Sequence, residues 1–118
     1  MQATQSQISK LNVLTRREDF LRGRNALRKW VSRTMILQVI EMPDDVGSPC
    51  YGITVTKKLG KAHDRNRIKR RLRAALFDVL PQIGEEGLAY ILIARSDALT
   101  APAEKLRADL RWCLKRAV

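Results

Sequence analysis

Residues 51–80 read YGITVTKKLGKAHDRNRIKRRLRAALFDVL, and three patterns follow one another in this stretch. Tyr51, Ile53 and Val55 alternate with Gly52, Thr54 and Thr56, the period of two expected of a strand. Lys57-Lys58-Leu59-Gly60-Lys61 interrupts the alternation and reads as a loop. From about Asp64 to Leu80, the residues Ile68, Leu72, Ala75, Leu76 and Val79 recur at helical spacing. Pro81 is expected to stop that helix. The apolar stripe needs a sheet to cover it, and the strand just before it is part of that sheet.

The flanking sequence supplies the other elements. Thr15-Arg16-Arg17-Glu18 fits a capping box, so a first helix is expected from about Arg16 to Asn25. Thr34–Met42 is short, apolar and β-branched, which predicts a strand. Pro43–Pro49 reads as a turn region, and the strands on either side of it are expected to pair as a hairpin. Leu88–Arg95 (LAYILIAR) is an almost continuous apolar run, the pattern of a central strand covered on both faces. A last helix is expected over Ala101–Lys115. Thr100 is its N-cap, Pro102 lies in the first turn, and Leu106, Leu110 and Leu114 face the core. The order α-β-β-α-β-α, with room for an extra strand, predicts an α+β fold: a single-domain two-layer α/β sandwich with a small mixed sheet and packed helices. Were the strands beside the second helix parallel, the general rule would make their crossover right-handed.

A chain of 118 residues is expected to be one domain with one modest core. Residues 1–10 (MQATQSQISK) lack the apolar middle of a signal peptide and read as a flexible polar leader to a domain over 11–118. No apolar run is long enough for a spanning helix. Cys50 and Cys113 lie far apart and outside any CxxC, the usage of two reduced thiols in a cytoplasmic protein. His63 is the only histidine, which excludes multi-histidine metal sites. It reads as a loop or helix-start residue.

The charge is concentrated. The chain carries 23 basic and 12 acidic residues, a net charge of +11, and residues 57–73 alone hold nine basic residues against Asp64. Residues 74–118 are balanced, as a scaffold should be. On a helical wheel Asn66, Lys69, Arg70 and Arg73 span about 100° of arc, with Arg67 and Arg71 on a second flank. A solvated face normally mixes signs for i, i+4 pairing. Here Arg65/Lys69 and Lys69/Arg73 repel, a local cost that an anionic partner would offset. Arginine suits that task because its planar fork binds phosphate oxygens in pairs. Asn66 adds an amide able to meet a base edge or a 2′-hydroxyl. Charge alone leaves RNA, DNA and an anionic membrane open. A helix-turn-helix partner before this helix is lacking, which weighs against DNA, and the apolar stripe is needed by the sheet, which weighs against a membrane. No nucleophile–base pair stands out, so no catalytic residue is assigned.

Lys57-Lys58-Leu59-Gly60 followed by Arg65-Asn66-Arg67-Ile68-Lys69-Arg70 resembles the signature of the bacterial ribonuclease P protein subunit: a strand, KK-x-G, a short loop, and RNRIKR opening a long helix. Ile53–Lys58 supplies the strand. Arg17-Glu18-Asp19-Phe20 resembles that family's first-helix motif, and Tyr90–Arg95 (YILIAR) its buried final strand. The C-terminal helix matches too, so the resemblance covers about residues 11–117.

The resemblance implies an α/β sandwich with a left-handed βαβ crossover, a fold shared with a ribosomal-protein domain. It implies a cytoplasmic subunit, one per catalytic RNA, of the enzyme that removes 5′ leaders from precursor tRNA. The catalytic groups and most of the Mg²⁺ sites would belong to the RNA. Carried over by position, Lys57, Lys58, Arg65, Asn66, Arg67, Lys69, Arg70 and Arg73 would lie against ribonuclease P RNA. Phe20, Arg16, Arg17, Arg24 and Gln38 would line a cleft for the single-stranded leader. Arg24 stands where many members have a second aromatic, and Met35 and Gln38 where many have aromatics on the first strand. Guanidinium stacking by Arg24 is the expected substitute. Glu18 and Asp19 offer carboxylates that could recruit Mg²⁺ near RNA, although first-turn dipole compensation explains them without a metal, and Trp30 and Trp112 are expected to be partly buried. The competing class is a noncatalytic structured-RNA-binding or ribosome-associated protein, which would bind RNA and leave cleavage unchanged.

Overall fold

The structure, a computed structural model, describes residues 11–24, 28–42, 49–85 and 87–117. The expected leader over 1–10 and most of the turn over 43–49 lie outside these residues. In chain order the elements are β1 (Asn12–Val13), α1 (Arg17–Arg24), β2 (Lys29–Val31), β3 (Met35–Glu41), β4 (Cys50–Thr54), α2 (Ala62–Ile83), β5 (Leu88–Ala94) and α3 (Ala103–Ala117). Single 3-10 turns sit at Lys57–Leu59 and Ser96–Ala98.

The five strands form one mixed sheet in the order β1-β4-β5-β3-β2. The expected hairpin between β3 and β4 does not form. β5 lies between them, antiparallel to β3 and parallel to β4. The reason is visible in LAYILIA: seven apolar residues need neighbours on both edges and cover on both faces, and the central slot provides them. β4 and β5 are joined by α2, a βαβ unit. The hairpin partner of β3 is instead β2. Ser32 closes their turn: its N–H donates to the Met35 carbonyl at 2.9 Å and its hydroxyl to the same oxygen at 2.8 Å. Two residues in β1 and three in β2 are too few for a periodic pattern to register.

The sheet's two faces are unequal. Met35, Leu37, Val39, Tyr51, Tyr90 and Leu92 face α2 and α3, packing on Ile68, Leu72, Leu76, Leu80, Leu106, Leu110 and Leu114. Each such leucine is worth roughly 1.5–3 kcal/mol of burial. One polar tie is sealed into this layer. Asp109 of α3 accepts the Thr34 hydroxyl at 2.7 Å and the Thr34 N–H at 3.2 Å, and pairs with Lys105 at 3.0 Å. Burial alone would raise the Asp109 pKa, but the hydrogen bonds from Thr34 and Lys105 outweigh it and hold the pKa below the ordinary value.

The opposite face is covered only in part, by α1. Leu14, Ile40, Cys50, Ala89 and Ile91 form a second, smaller cluster against which Phe20 packs. Gly23, a weak point for the helix from sequence alone, lets α1 approach closely here: a Cβ would stand 2.7 Å from Ile91 Cδ1 and 2.8 Å from Gln38 Oε1, so those side chains would have to shift to admit it. The two cysteines are on opposite faces, Cys50 of β4 in the cluster under α1 and Cys113 on the buried side of α3. Burial raises both thiol pKa values, and the nearby Asp19 carboxylate adds to the shift at Cys50.

α1 begins at Arg17, within one residue of the expected start, and Glu18 lies 3.6 Å from Arg16. Two other helix ends differ from expectation. α2 runs through Pro81 to Ile83. The proline removes only the bond to the carbonyl of Phe77, an exposed residue. α3 begins at Ala103, and the Pro102 carbonyl accepts the first helical bonds from Lys105 and Leu106. Pro102, not Thr100, is therefore the cap.

Candidate nucleic-acid interface

The strand-to-helix turn organises the basic segment. After Thr56, the 3-10 turn is closed by Leu59 N–H to the Thr56 carbonyl at 3.1 Å and Gly60 N–H to the Lys57 carbonyl at 3.3 Å. Gly60 has φ 134°, a region that L side chains avoid, and a Cβ there would meet Asp64 Oδ2 at 2.8 Å. The chain thus reverses tightly and enters α2 with Lys57 and Lys58 exposed at the strand end. Asp64 sits in the first helical turn, where a carboxylate compensates the dipole. Arg65 is half-buried, its Nε donating to the Gly60 carbonyl at 3.3 Å.

Beyond that turn α2 splits into two sides. Ile68, Leu72, Ala75, Leu76 and Val79 are buried. Asn66, Lys69, Arg70 and Arg73 are exposed and, with His63, line a shallow depression. Arg67, exposed on the flank, borders a second depression with His63, Asp64, Leu99 and Thr100. Among the described residues, no ion pair engages Lys57, Lys58, Arg65, Arg67, Lys69, Arg70 or Arg73. His63 is exposed at the helix start and lies 3.6 Å from Asp64.

Arg71 is the exception on this helix. Sequence spacing put it on the flank of the basic face. In the structure it turns inward and its guanidinium donates to the carbonyls of Ala98 and Leu99 at 2.7 and 2.6 Å, and to that of Ala101. It clamps the link between β5 and α3, which no spacing rule encodes.

The second region is α1 and the sheet face beneath it. Arg16, Arg17 and Arg24 are exposed on or beside α1. Phe20 is half-buried over β4, so close that a Cβ on Gly52 would come within 2.7 Å of its ring. Gln38 departs from its expected place in the cleft. It is 2% exposed, under Gly23. Met35, three residues earlier, is fully buried on the other face, because side chains alternate along a strand. The part of this face that α1 leaves open is the next row of the sheet, Thr54, Ile93, Ile36 and Val31 by register. The first three are half-exposed and Val31 is 52% exposed. Alternation along β3 would have found Ile36.

The two tryptophans differ. Trp30 is half-buried against the larger core. Trp112 is exposed, with the Arg116 guanidinium 3.9 Å from its ring centroid. Glu18 pairs with Arg16, and Asp19, nearly buried, with Arg22 at 3.4 Å. No group of three His, Cys, Asp or Glu among the described residues is placed to hold a metal. No helix among them is long and apolar enough to cross a membrane. The arrangement therefore offers two surfaces for a polyanion: a row of cations on α2 without carboxylate partners among the described residues, and a largely apolar sheet strip on the face that α1 covers in part, with exposed arginines on or beside α1.

A family model described as Ribonuclease P matches residues 8–118. The ribonuclease P protein component of Paramagnetospirillum magneticum is 39% identical over 111 residues, 92% of this chain and 84% of the relative. That of Erythrobacter litoralis is 41% identical over 105 residues, 89% of this chain and 84% of the relative. Among solved structures, the RNase P protein of Staphylococcus aureus superposes with a TM-score of 0.69 at 26% identity, covering 92% of this chain and 96% of that one. The RNase P protein of Thermotoga maritima has the same fold, with a TM-score of 0.74 at 24% identity over 89% and 96% of the two chains.

Proposed function

The chain belongs to the ribonuclease P protein family, and from that premise we propose how it serves a ribonucleoprotein that matures tRNA. The exposed side of α2, with Lys57 and Lys58 at its entrance, docks on the catalytic RNA. Arg67, Lys69, Arg70 and Arg73 bind phosphates, Arg65 steadies the loop that presents them, and Asn66 reads a base edge or 2′-hydroxyl. The strip beside α1 takes the single-stranded 5′ leader of precursor tRNA, with Arg16, Arg17 and Arg24 along its border and the exposed edge of Phe20 against a base. One protein binds one RNA, in the cytoplasm. The RNA supplies the catalytic groups and holds the Mg²⁺. Glu18 lies 3.6 Å from Arg16 and Asp19 lies 3.4 Å from Arg22.

One observation carries the reading: Lys69, Arg70 and Arg73 cluster on one α2 face with no carboxylate partner among the described residues, whereas the other long helix pairs Lys105 and Arg107. A polyanion supplies the negative charge that this cluster lacks. The test is reconstitution. The nucleic-acid-free protein is added to bacterial ribonuclease P RNA and precursor tRNA at low Mg²⁺. Stimulated cleavage at the mature 5′ end, with none by the protein alone, is the expected result. Tight RNA binding without stimulation would instead favour a noncatalytic RNA-binding protein.

A further inference from the structure

The basic side of α2 does not end at Arg73. Phe77 lies one helical turn further, about 6 Å along the axis, and at 100° per residue it falls about 20° from Asn66 and Arg70. It is thus on the same face as the unpaired cations, and it is 44% exposed. A large aromatic left in water at the end of a cationic row is not explained by the core, which α2 fills with Ile68, Leu72, Leu76, Val79 and Leu80. Nor is it a loose side chain. Its ring meets the Tyr51 ring edge-on, at a centroid distance of 5.5 Å and an interplanar angle of 80°. Tyr51 is only 8% exposed and belongs to the core. A rigid residue therefore props the aromatic ring and lowers the entropy cost of using it as a contact.

We propose that Phe77 is a base-stacking residue for the docked RNA, taking one unpaired nucleotide of the strand whose phosphates Arg70 and Arg73 hold. This rests on the docking reading above and extends it. The row of cations recognises backbone, which every nucleotide shares. An aromatic at its end recognises a base that is free to leave a helix, and so distinguishes a bulge or loop from continuous duplex. The charge around the ring selects the occupant: an apolar protein surface would have to desolvate Arg70 and Arg73, whereas a nucleotide carries the phosphate that they need.

The test compares Phe77→Ala, Phe77→Leu and Phe77→Trp with Arg70→Ala/Arg73→Ala, each protein titrated with ribonuclease P RNA at several salt concentrations. Phe77→Ala is expected to weaken binding roughly 5- to 150-fold, the range of one lost base stack, with the salt slope unchanged because no charge is removed. Phe77→Trp should restore the affinity. Phe77→Leu, which keeps apolar cover over Tyr51 and guards against a folding artefact, should not. Wild-type affinity for Phe77→Leu, or for Phe77→Ala, would overturn the stacking role while the arginine variant still lost affinity and slope. Were the arginine variant also unaffected, the docking reading would fail, and stacking with it.

Discussion

α2 and α3 lie side by side on the same sheet face, and both are amphipathic with a leucine-rich buried stripe. Their charges are handled differently. On α3, Lys105 pairs with Asp109 at 3.0 Å, Arg107 with Asp78 of α2 at 3.8 Å, and Arg116 covers Trp112, which leaves Arg111 and Lys115 exposed without a carboxylate partner among the described residues. On α2, Lys69, Arg70 and Arg73 point outward with no carboxylate partner among the described residues. A helix serving only the fold can satisfy its cations within the chain. A helix left with repelling neighbours is arranged for a partner. Arg70 and Arg71 reduce the contrast to adjacent residues: one is exposed, the other is bound to three carbonyls.

Exchanging the two roles by mutation tests the contrast. Arg70→Ala/Arg73→Ala should weaken RNA binding by about 3 kcal/mol if two charge-assisted contacts are lost, and flatten the salt slope by roughly 1.5–2. Its melting temperature should stay near wild type, since removing like charges costs the fold nothing. An unchanged slope would take these residues out of the interface.

Asp109→Ala should do the reverse. It strands the buried Thr34 donors and costs roughly 2–4 kcal/mol of stability, with the RNA salt slope preserved. The same carboxylate sets an acid limit. Because its folded-state pKa is lowered, its stabilisation is complete above the ordinary aspartate range and disappears as pH falls through the folded-state value. Asp109→Asn should therefore flatten the acid limb of a melting-temperature profile. An unaltered limb would assign the acid sensitivity elsewhere.

Arg71→Ala is the sharpest comparison with Arg70. It should lose about 1.5–3 kcal/mol of stability and leave the salt slope alone. A slope change matching that of Arg70→Ala would mean that the clamp opens when RNA binds. The smallest effect is expected for Phe20→Leu, which keeps the packing over Gly52. It should weaken substrates with long leaders by about 1 kcal/mol relative to those with a one-nucleotide leader. Equal losses on both would make Phe20 a packing residue only.

Much of this was legible in the chain. The stripe from Ile68 to Val79, the strand run Leu88–Ala94 and the buried set Leu106, Leu110 and Leu114 are periodicities, and a periodicity is a property of neighbours in sequence. The exposed face of Asn66, Lys69, Arg70 and Arg73 follows from the same wheel, and RNRIKR identified the family. Phe77 was on that wheel as well, but an isolated phenylalanine on a helix reads as core until its exposure is known.

What periodicity could not supply was partnership across the chain. The apolar run of β5 asks for a central slot, but nothing local says that β3 and β4 are the strands on its two edges. Gln38 and Ile36 share a face of β3, yet Gln38 is sealed and Ile36 is open, since the missing side chain of Gly23 lets α1 settle over one and not the other. Arg71 and Arg70 are the same residue type in adjacent positions, and only the carbonyls of the β5–α3 link, 27–30 residues away, decide which is clamped and which is left for a partner. The sequence by itself determined the helices and the three longer strands, their apolar stripes and the sign of the exposed charge, because these depend on spacing along the chain. Tertiary structure decided which of those charged and polar groups remain accessible, because that depends on what distant segments bring against them.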